Sequence, residues 1–309
     1  MKTKLALGTG LITLLLCIAC YSDDLIPRQA APYPDDLLER ARLAATAIPG
    51  ALANAINMAK VAESHRTYAA IIEDGSDDLF VSARTAFQVV YPDGSVMLDS
   101  GMDEEVHRYY GFGRDEPYFS DVNDDVQAAL RRAQLIIITH EHGDHIAGVV
   151  RSDYRDELAP KTILTKNQVR TLSFAAQIPQ IKLTPEQAAD YIVVDYELIL
   201  PVAPGIVLIK SPGHTPGHQM VYIQLSGGEE FLFIGDIGWS LDNITQLKPR
   251  PAATVARIKE DPQALILQMT WIKQVMDDDG IIVVPSHDDR LLKKYVADGL
   301  LDLMHNRIK

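Results

Sequence analysis

One segment constrains the fold of this chain more than any other. Thr139–His145, with the sequence T-H-E-H-G-D-H, directly follows the apolar run Leu135–Ile138. The run has the length and composition of a buried strand, and three imidazoles and a carboxylate follow it closely. These side chains are ligands of zinc and of neighbouring transition metals. The pattern predicts a catalytic metal centre at the carboxyl end of a strand.

Three more apolar strands are predicted to deliver candidate ligands in the same way. Ile206–Lys210 precedes S-P-G-H-T-P-G-H, which contains His214 and His218, and the strand at 231–234 precedes Asp236. A strand at 281–284 precedes His287. Because each strand ends in a residue that binds metals, we expect them to converge on one site. We interpret three other histidines as unrelated to it: His65, His107 and His305.

Taken together, the motifs resemble those of the metallo-β-lactamase superfamily, in the same order, over roughly residues 80–290. The segment at 96–101 matches the first motif, in which Asp99 would brace the loop that carries the ligands. The resemblance implies an α/β fold, an αβ/βα sandwich with the metal site at the edge between two sheets. No nucleophile elbow of the G-x-S-x-G type and no nucleotide-binding glycine motif competes with this interpretation.

The resemblance also implies a dinuclear site. The first metal would be held by His140, His142 and His214, and the second by Asp144, His145 and His287. Asp236 would bridge the two ions, Asp144 and Asp236 would also take part in catalysis, and His218 would be structural. The expected cofactors are two divalent ions, zinc first, with manganese, iron and cobalt as alternatives. Such paired ions share a hydroxide that attacks a carbonyl or phosphoryl centre.

Several features bear on the substrate. Asp236 argues against a true β-lactamase, because those enzymes lack a carboxylate that bridges at this position. The runs H-T-P-G-H-Q and S-H-D resemble N-acyl-homoserine lactonases, which usually carry a tyrosine three residues after the bridging aspartate. Trp239 takes that place here and is our candidate for the substrate pocket. We predict cleavage of an ester or lactone bond in a small molecule. The alternatives are a phosphotriester hydrolase resembling methyl parathion hydrolases and, in another class, a non-catalytic metal-binding protein.

The amino-terminal segment resembles a bacterial lipoprotein signal. Lys2 and Lys4 precede a largely apolar stretch that is too short to span a bilayer, and Ala19 precedes Cys20. We expect residues 1–19 to be removed, Cys20 to be lipidated, and residues 20–34 to form a tether. The protein would then be exported to the periplasm and anchored to the outer membrane by lipid alone. Residues 35–309 would form one domain.

The charge of the chain excludes one class of partner. The formal net charge is −13, and removal of residues 1–19 takes away two lysines and no acid, which leaves −15. No stretch of the linear sequence concentrates lysine and arginine, so we expect no binding to nucleic acid. The expected partner is a small-molecule substrate.

The remaining patterns predict secondary structure. We expect a helical prelude over 35–64, with helices at 35–47 and 51–64 that act as a partial lid. We also expect a hairpin around residues 92–94, an amphipathic helix at 121–133, and a helix capped by Thr184. Strands should dominate from residue 192 until Pro262 begins a helix that reaches about Met276.

Overall fold

A computed structural model describes residues 31–304 of the chain. Its twelve strands are β1 (Ala55–Thr67), β2 (Leu79–Tyr91), β3 (Gly94–Leu98), β4 (Leu135–Ile137), β5 (Thr162–Thr165), β6 (Ile192–Val194), β7 (Ile199–Ala203), β8 (Ile206–Lys210), β9 (Gln219–Gln224), β10 (Glu230–Gly235), β11 (Ile282–Pro285) and β12 (Asp302–Leu303). The longer helices are α1 (Leu37–Ala45), α2 (Glu104–Gly111), α3 (Ser120–Arg132), α4 (Gly143–Val150), α6 (Lys166–Phe174), α10 (Pro262–Asp279) and α11 (Asp289–Ala297). The shorter ones are α5 (Arg155–Leu158), α7 (Pro185–Ala188), α8 (Leu241–Thr245) and α9 (Ala252–Ile258).

The strands form two sheets. One has seven strands in the order β12-β1-β2-β3-β4-β5-β6, and the other has five in the order β11-β10-β9-β8-β7. The strands β3 to β6 pair in parallel, and β10 pairs in parallel with β11. Because parallel neighbours end at the same edge of a sheet, the loops after β3, β4, β10 and β11 can meet.

Along the strands, successive apolar residues point to opposite faces, so both faces of each sheet contribute to a hydrophobic core. In β10, Phe231 and Phe233 belong to the core between the two sheets, whereas Leu232 and Ile234 belong to the core under α1 and α10. In the first sheet, Ile137 faces the other sheet and its neighbours face α3 and α4. The result is four layers in the order helix, sheet, sheet, helix, as the predicted αβ/βα sandwich requires.

Several predicted elements are confirmed. The hairpin is β2 and β3, the amphipathic helix is α3, and Thr184 caps α7 with a reciprocal capping box. The helix that Pro262 begins is α10, which runs three residues beyond the predicted end, to Asp279. The stretch between β10 and α10 is not strand, since it contains α8 and α9.

The predicted helix at 51–64 is wrong. Residues 55–67 form strand β1, which pairs antiparallel with β2 along nearly its whole length. Alanine, methionine and lysine here favour a helix in isolation, but pairing with β2 supplies the hydrogen bonds and buries alternate residues. A shift in register between Lys60 and Ala62 marks a bulge that interrupts the period-two pattern, so the alternation typical of a strand is not continuous in this segment.

The helix at 35–47 exists as α1, but it does not act as a lid. Its buried residues Leu37, Leu38, Ala41 and Ala45 pack on the second sheet, against β7, β8 and β9. Arg42 of this helix binds Glu230 and Asp279. The apolar stripe of α1 is therefore used to cover the sheet, and none of its residues lines the cavity described below.

The predicted signal, Cys20 and most of the tether lie outside the described residues, as does His305. Between residues 31 and 304, no helix is both long and apolar enough to cross a membrane.

Candidate metal centre and cavity

The candidate ligands lie in the loops at one edge of the two sheets. His140 and His142 lie in the loop after β4, and Asp144 and His145 lie in the first turn of α4. His214 lies between β8 and β9, Asp236 directly follows β10, and His287 follows β11. Residues spread over nearly 150 positions of sequence are thereby brought to one point, as the motif pattern predicted.

The seven side chains form two clusters with the spacing of metal ligands; six of these residues are buried, and His142 is half-buried. The first cluster contains His140, His142, His214 and Asp236, and the second contains Asp144, His145 and His287. Apart from Asp236, which was expected to bridge both ions, these are the two groups that the family resemblance assigned to separate ions.

Asp236 contacts both clusters, and its Oδ2 atom alone is near each of them, since it also lies 3.2 Å from His287 Nε2. Its Oδ2 atom lies 3.3 Å from His214 Nε2 and 3.8 Å from His140 Nε2. Its Oδ1 atom lies 3.4 Å from His145 Nε2 and 3.0 Å from His287 Nε2. A carboxylate that contacts ligands of both clusters has the position of a bridging ligand.

Hydrogen bonds at the opposite ring nitrogens orient three of the histidines. His145 donates from Nδ1 to Asp99 at 2.8 Å, and His287 donates from Nδ1 to the carbonyl of Ala83 at 2.6 Å. His214 donates from Nδ1 to Glu260 at 2.5 Å. Each bond directs the Nε2 atom of the ring toward the centre and makes that nitrogen a better donor of electrons.

Asp99 occupies a strained position that its role explains. Its φ of 56° lies in the left-handed region, which non-glycine residues rarely adopt. In this conformation its carboxylate also accepts hydrogen bonds from the Thr139 backbone N–H at 2.7 Å and from the Thr139 hydroxyl. Asp99 therefore ties the start of the ligand loop to His145, as we predicted for a bracing residue.

The electrostatics of the site favour a bound cation. Burial lowers the pKa of His140 far below its ordinary value and lowers the pKa of His142 to about 3, so both rings are neutral, the form that binds metals. Burial also lowers the pKa of His145, but Asp99, Asp144 and Asp236 outweigh it and raise that pKa well above normal. A proton on His145 would partly neutralise these carboxylates, and a metal ion would do so more completely.

The buried atoms of the site also fit a metal. His140 Nε2, His145 Nε2 and Asp236 Oδ1 are fully buried and have no hydrogen-bond partner in the described chain. Buried polar atoms normally find a partner, because leaving one unsatisfied costs roughly 1–3 kcal/mol. All three belong to the two clusters, so metal coordination accounts for them.

The other histidines between residues 31 and 304 lie outside both clusters. His218 accepts a hydrogen bond at Nε2 from the backbone N–H of Asp236 and contacts Ser211 Oγ through Nδ1 at 2.8 Å. This is the structural role that we expected. His65 contacts Glu116, and His107 contacts the carbonyl of Glu116.

Sequence reasoning missed three charged residues that support the site. Glu141 accepts hydrogen bonds from Thr215 and from the backbone of Gly217, and so joins the two ligand loops. Glu260 holds His214 and is itself paired with Arg250. The third residue is Arg84. Two signals in the sequence could have indicated these residues: Arg84 is a charge within an apolar strand, and Glu141 lies within the ligand motif.

Arg84 lies on β2 and donates a hydrogen bond to Asp144 at 2.9 Å. Burial raises the pKa of Asp144, but Arg84, His145 and His287 outweigh it and lower that pKa to about 2. Asp144 is therefore ionised, as a metal ligand must be.

The centre opens into a cavity of about 560 Å³. Trp239 lines it, as predicted for a pocket residue, and its indole N–H donates to Asp236 Oδ2 at 2.8 Å. Tyr109, Tyr110 and Phe112 add aromatic surface, while Ala70 and Ile71 add aliphatic surface. A pocket with apolar walls and a polar end is typical of small-molecule sites.

The cavity also corrects our expectation about cations. No cluster of lysine and arginine exists in the linear sequence, but the fold brings four cations to the cavity wall: Arg66, Arg84, Arg257 and Lys259. They lie on three separate parts of the chain, so the linear sequence does not indicate that the four side chains are neighbours.

Comparison with known proteins agrees with this geometry. The sequence profile of the metallo-beta-lactamase superfamily matches residues 81–287, about two thirds of the chain. A curated relative, the N-acyl homoserine lactonase AiiA of Bacillus thuringiensis subsp. kurstaki, is 22% identical over 210 residues, which cover 63% of this chain and 77% of the relative.

Solved structures share the fold. An N-acyl homoserine lactone hydrolase, solved with N-hexanoyl-L-homoserine at its catalytic metal centre, has a TM-score of 0.62 and 17% identity and covers 79% of this chain and 96% of its own. AidC, a dizinc quorum-quenching lactonase, has a TM-score of 0.52 and 15% identity over 75% of this chain and 86% of its own.

Proposed function

Because this chain belongs to the metallo-beta-lactamase superfamily of hydrolases, we propose that it is a dinuclear-metal hydrolase that cleaves an ester or lactone bond of a small molecule. The observation that carries the proposal is the position of Asp236, whose carboxylate lies 3.3 Å from His214 Nε2 of one ligand cluster and 3.0 Å from His287 Nε2 of the other. The orphaned buried atoms of His140 and His145 support the same assignment.

We assign the ligands as the two clusters suggest. The first ion would be held by His140, His142 and His214, the second by Asp144, His145 and His287, with Asp236 between them. Two divalent ions would lower the pKa of a water molecule between them and polarise the carbonyl of the substrate. We take zinc as the first candidate, because imidazole and carboxylate together suit it.

Residues of the chain itself position the substrate and accept a proton. The carboxylates of Asp144 and Asp236 both line the cavity, so they would lie close to the scissile bond of a substrate bound there. The net reaction adds hydroxyl to the acyl carbon and breaks its bond to the alcohol oxygen, which leaves with a proton. We assign Asp144 as the group that accepts the proton of water, because its carboxylate is ionised and lines the cavity beside the second cluster.

Trp239 sets a preference among substrates. Its only polar hydrogen is already donated to Asp236, so the indole offers no proton to a departing alkoxide. Esters with good leaving groups should therefore react faster than unactivated lactones. N-Acyl homoserine lactones, after which the relatives are named, are one substrate class to test.

The test compares bonds that share one leaving group. Zinc- or manganese-reconstituted protein is assayed with p-nitrophenyl hexanoate, with a dialkyl p-nitrophenyl phosphate and with bis-p-nitrophenyl phosphate, so that only the centre under attack differs. N-Acyl homoserine lactones and a chromogenic β-lactam complete the panel. We expect the carboxylic ester and the lactones to be cleaved faster than the β-lactam and both phosphates.

Two controls make the result decisive. His214→Ala should abolish turnover if the activity belongs to this site, whereas Lys182→Gln, an exposed change that does not line the cavity, should not affect it. A phosphotriester cleaved faster than every carboxylic ester would favour the methyl parathion hydrolase-like alternative. Bound metal without turnover of any substrate would favour a non-catalytic metal-binding protein.

A further inference from the structure

Two cations at the cavity wall have no ion-pair partner among residues 31–304. Arg257 is the penultimate residue of α9 and Lys259 directly follows that helix, and both side chains are exposed. The two deeper cations differ from them, since Arg66 pairs with Glu116 at 2.9 Å and Arg84 pairs with Asp144. Arg257 and Lys259 thus leave positive charge uncompensated at this wall of the cavity.

This local charge is opposite in sign to that of the whole chain. Lysine and arginine number 29 against 42 aspartate and glutamate residues. The simplest account of exposed cations is that they are solvated and have no role. That account does not explain why two neighbouring cations without carboxylate partners line a cavity that leads to the metal centre, in a chain with so many acids. A concave wall of one charge concentrates ligands of the opposite charge.

The wall beside Arg257 is aromatic. Phe112 lies opposite it, with the guanidinium carbon of Arg257 at 5.5 Å from the ring centroid and that of Arg66 at 6.0 Å. The Phe112 side chain is largely exposed, at 63%. An exposed aromatic ring within about 6 Å of two guanidinium groups provides an apolar surface next to positive charge. Such a surface suits a ligand that is apolar along its length and anionic at one end.

The backbone at both sides of this wall is in an unfavourable conformation. Phe112 caps α2 with φ of 51°, and Lys259 caps α9 with φ of 61°. Glycine is the usual residue at such left-handed helix ends, because its backbone adopts them without steric cost. A large aromatic residue and a lysine are less favourable than glycine in this backbone conformation. Such strained residues are commonly found at functional sites.

We propose that Arg257 and Lys259 bind a carboxylate of the substrate. The substrate would be the ester or lactone of an acyl chain that ends in this carboxylate, with the chain packed on Phe112 and the scissile bond at the metal centre. The inference rests on the proposed function for the bond that is cleaved. It adds that an anionic acyl group is preferred to a neutral one.

The kinetic test uses paired esters on metal-reconstituted protein. The p-nitrophenyl monoesters of adipic, suberic and sebacic acid are anionic, and the hexanoate, octanoate and decanoate esters are neutral with the same chain lengths. We expect at least one anionic ester to have a lower KM than its neutral partner. The variant Arg257→Gln/Lys259→Gln should raise that KM about tenfold, which corresponds to roughly 1.4 kcal/mol, and leave kcat and the neutral ester's KM unchanged.

The control variant removes the same charge elsewhere. Lys182→Gln/Arg290→Gln loses two exposed cations that do not line the cavity, so both esters should keep their KM. Added salt should raise KM for the anionic ester only, because exposed charges are screened. Neutral esters that bind as well as anionic ones, or a KM that Arg257→Gln/Lys259→Gln leaves unchanged, would overturn the proposal.

A binding measurement separates this inference from the proposed function. Adipamic acid is an anion without an ester bond, and hexanamide is its neutral counterpart. Calorimetry should show that adipamic acid binds more tightly and that Arg257→Gln/Lys259→Gln removes the difference. If no ester or lactone is cleaved, the proposed function is wrong. The calorimetric measurement still shows whether Arg257 and Lys259 bind a carboxylate. A carboxylate that binds equally well to the variant would contradict our assignment.

Lys259→Gly distinguishes function from structure at this position. Glycine suits the left-handed backbone, so the variant should be at least as resistant to thermal unfolding as the parent protein. It should nevertheless bind adipamic acid more weakly. A residue retained only to stabilise α9 would give the reverse result, with a lower Tm and unchanged binding.

Discussion

Glu260 accepts a hydrogen bond from His214 at 2.5 Å, although it lies 46 residues further along the chain. Arg250 holds the other oxygen of this carboxylate, from Nε to Oε2 at 3.0 Å. The ring of His214 is thereby fixed from behind by a buried ion pair that contains no predicted ligand.

Glu260→Gln should weaken metal binding at the first cluster. The amide cannot stabilise the imidazole as a carboxylate does, and losses of about 10–100-fold in affinity are typical for such partners. Titration against a competing chelator measures the change. Glu116→Gln is the matched control, since Glu116 is also a buried glutamate paired with arginine and lies outside both clusters. Equal affinities for parent and Glu260→Gln protein would show that this contact does not support the ligand.

Purified, reconstituted protein should contain two metal ions per chain, and Asp236→Ala should retain one or fewer. His218→Ala should retain both, because His218 belongs to neither cluster. It should instead lower the free energy of unfolding by about 1–3 kcal/mol, since it leaves buried partners without hydrogen bonds. Elemental analysis and urea denaturation provide the two readouts. Comparable metal loss in both variants would mean that His218 is a ligand.

Arg84→Met should destabilise the metal-free protein more than the metal-bound protein. Without ions, Asp144 would lose its buried cationic partner, and breaking such a pair costs roughly 3–5 kcal/mol. Bound metal supplies positive charge in its place. Urea unfolding with and without a chelator measures both values, and an identical loss in the two states would contradict the role that we assign to this pair.

Gly148→Ala should destabilise the fold by about 1–3 kcal/mol, as overpacking in a dense core does. An added Cβ would lie 2.0 Å from the backbone carbonyl oxygen of Ser100, so α4 would have to move away from the loop after β3. Gly111→Ala is the control, because its nearest contact would be at 3.9 Å and alanine favours helix. Thermal unfolding should separate the two, and a Gly148→Ala protein as stable as the parent would refute the close contact.

We predict that Cys20 is the lipidated amino terminus of the exported protein. The basic, apolar and small-residue order of residues 1–19 is the basis for this prediction, which concerns residues outside the described range. Mass spectrometry of membrane-extracted protein should find a mature chain that begins at a modified Cys20. An unmodified amino terminus, or cleavage at another site, would reject it.

The convergence of the candidate metal ligands on one place could be predicted almost completely from the sequence. Each ligand follows a short apolar run, and the carboxyl ends of neighbouring parallel strands share one edge, so the motif order was enough to group His140 with Asp236 and His287. The sandwich fold followed from the resemblance to the metallo-β-lactamase superfamily, and local sequence patterns predicted several of the helices, among them α1, α3 and α10.

Residues 55–67 show the limit of local patterns. Their alanine, methionine and lysine favour helix, and only pairing with β2 makes them a strand. Backbone pairing with a distant segment is a tertiary contribution to the free energy, and it outweighs an intrinsic preference of a few tenths of a kcal/mol per residue.

The sequence by itself determined which residues can coordinate metal, because ligand chemistry belongs to the side chain and its neighbours along a strand. The tertiary structure alone decided what surrounds them. Glu260 reaches His214, Arg84 reaches Asp144, and Arg257 and Lys259 reach the same cavity wall as Phe112 through the packing of separate elements. Charges interact through space over a few ångströms, whatever their separation along the chain, so only the folded chain shows which charges act together.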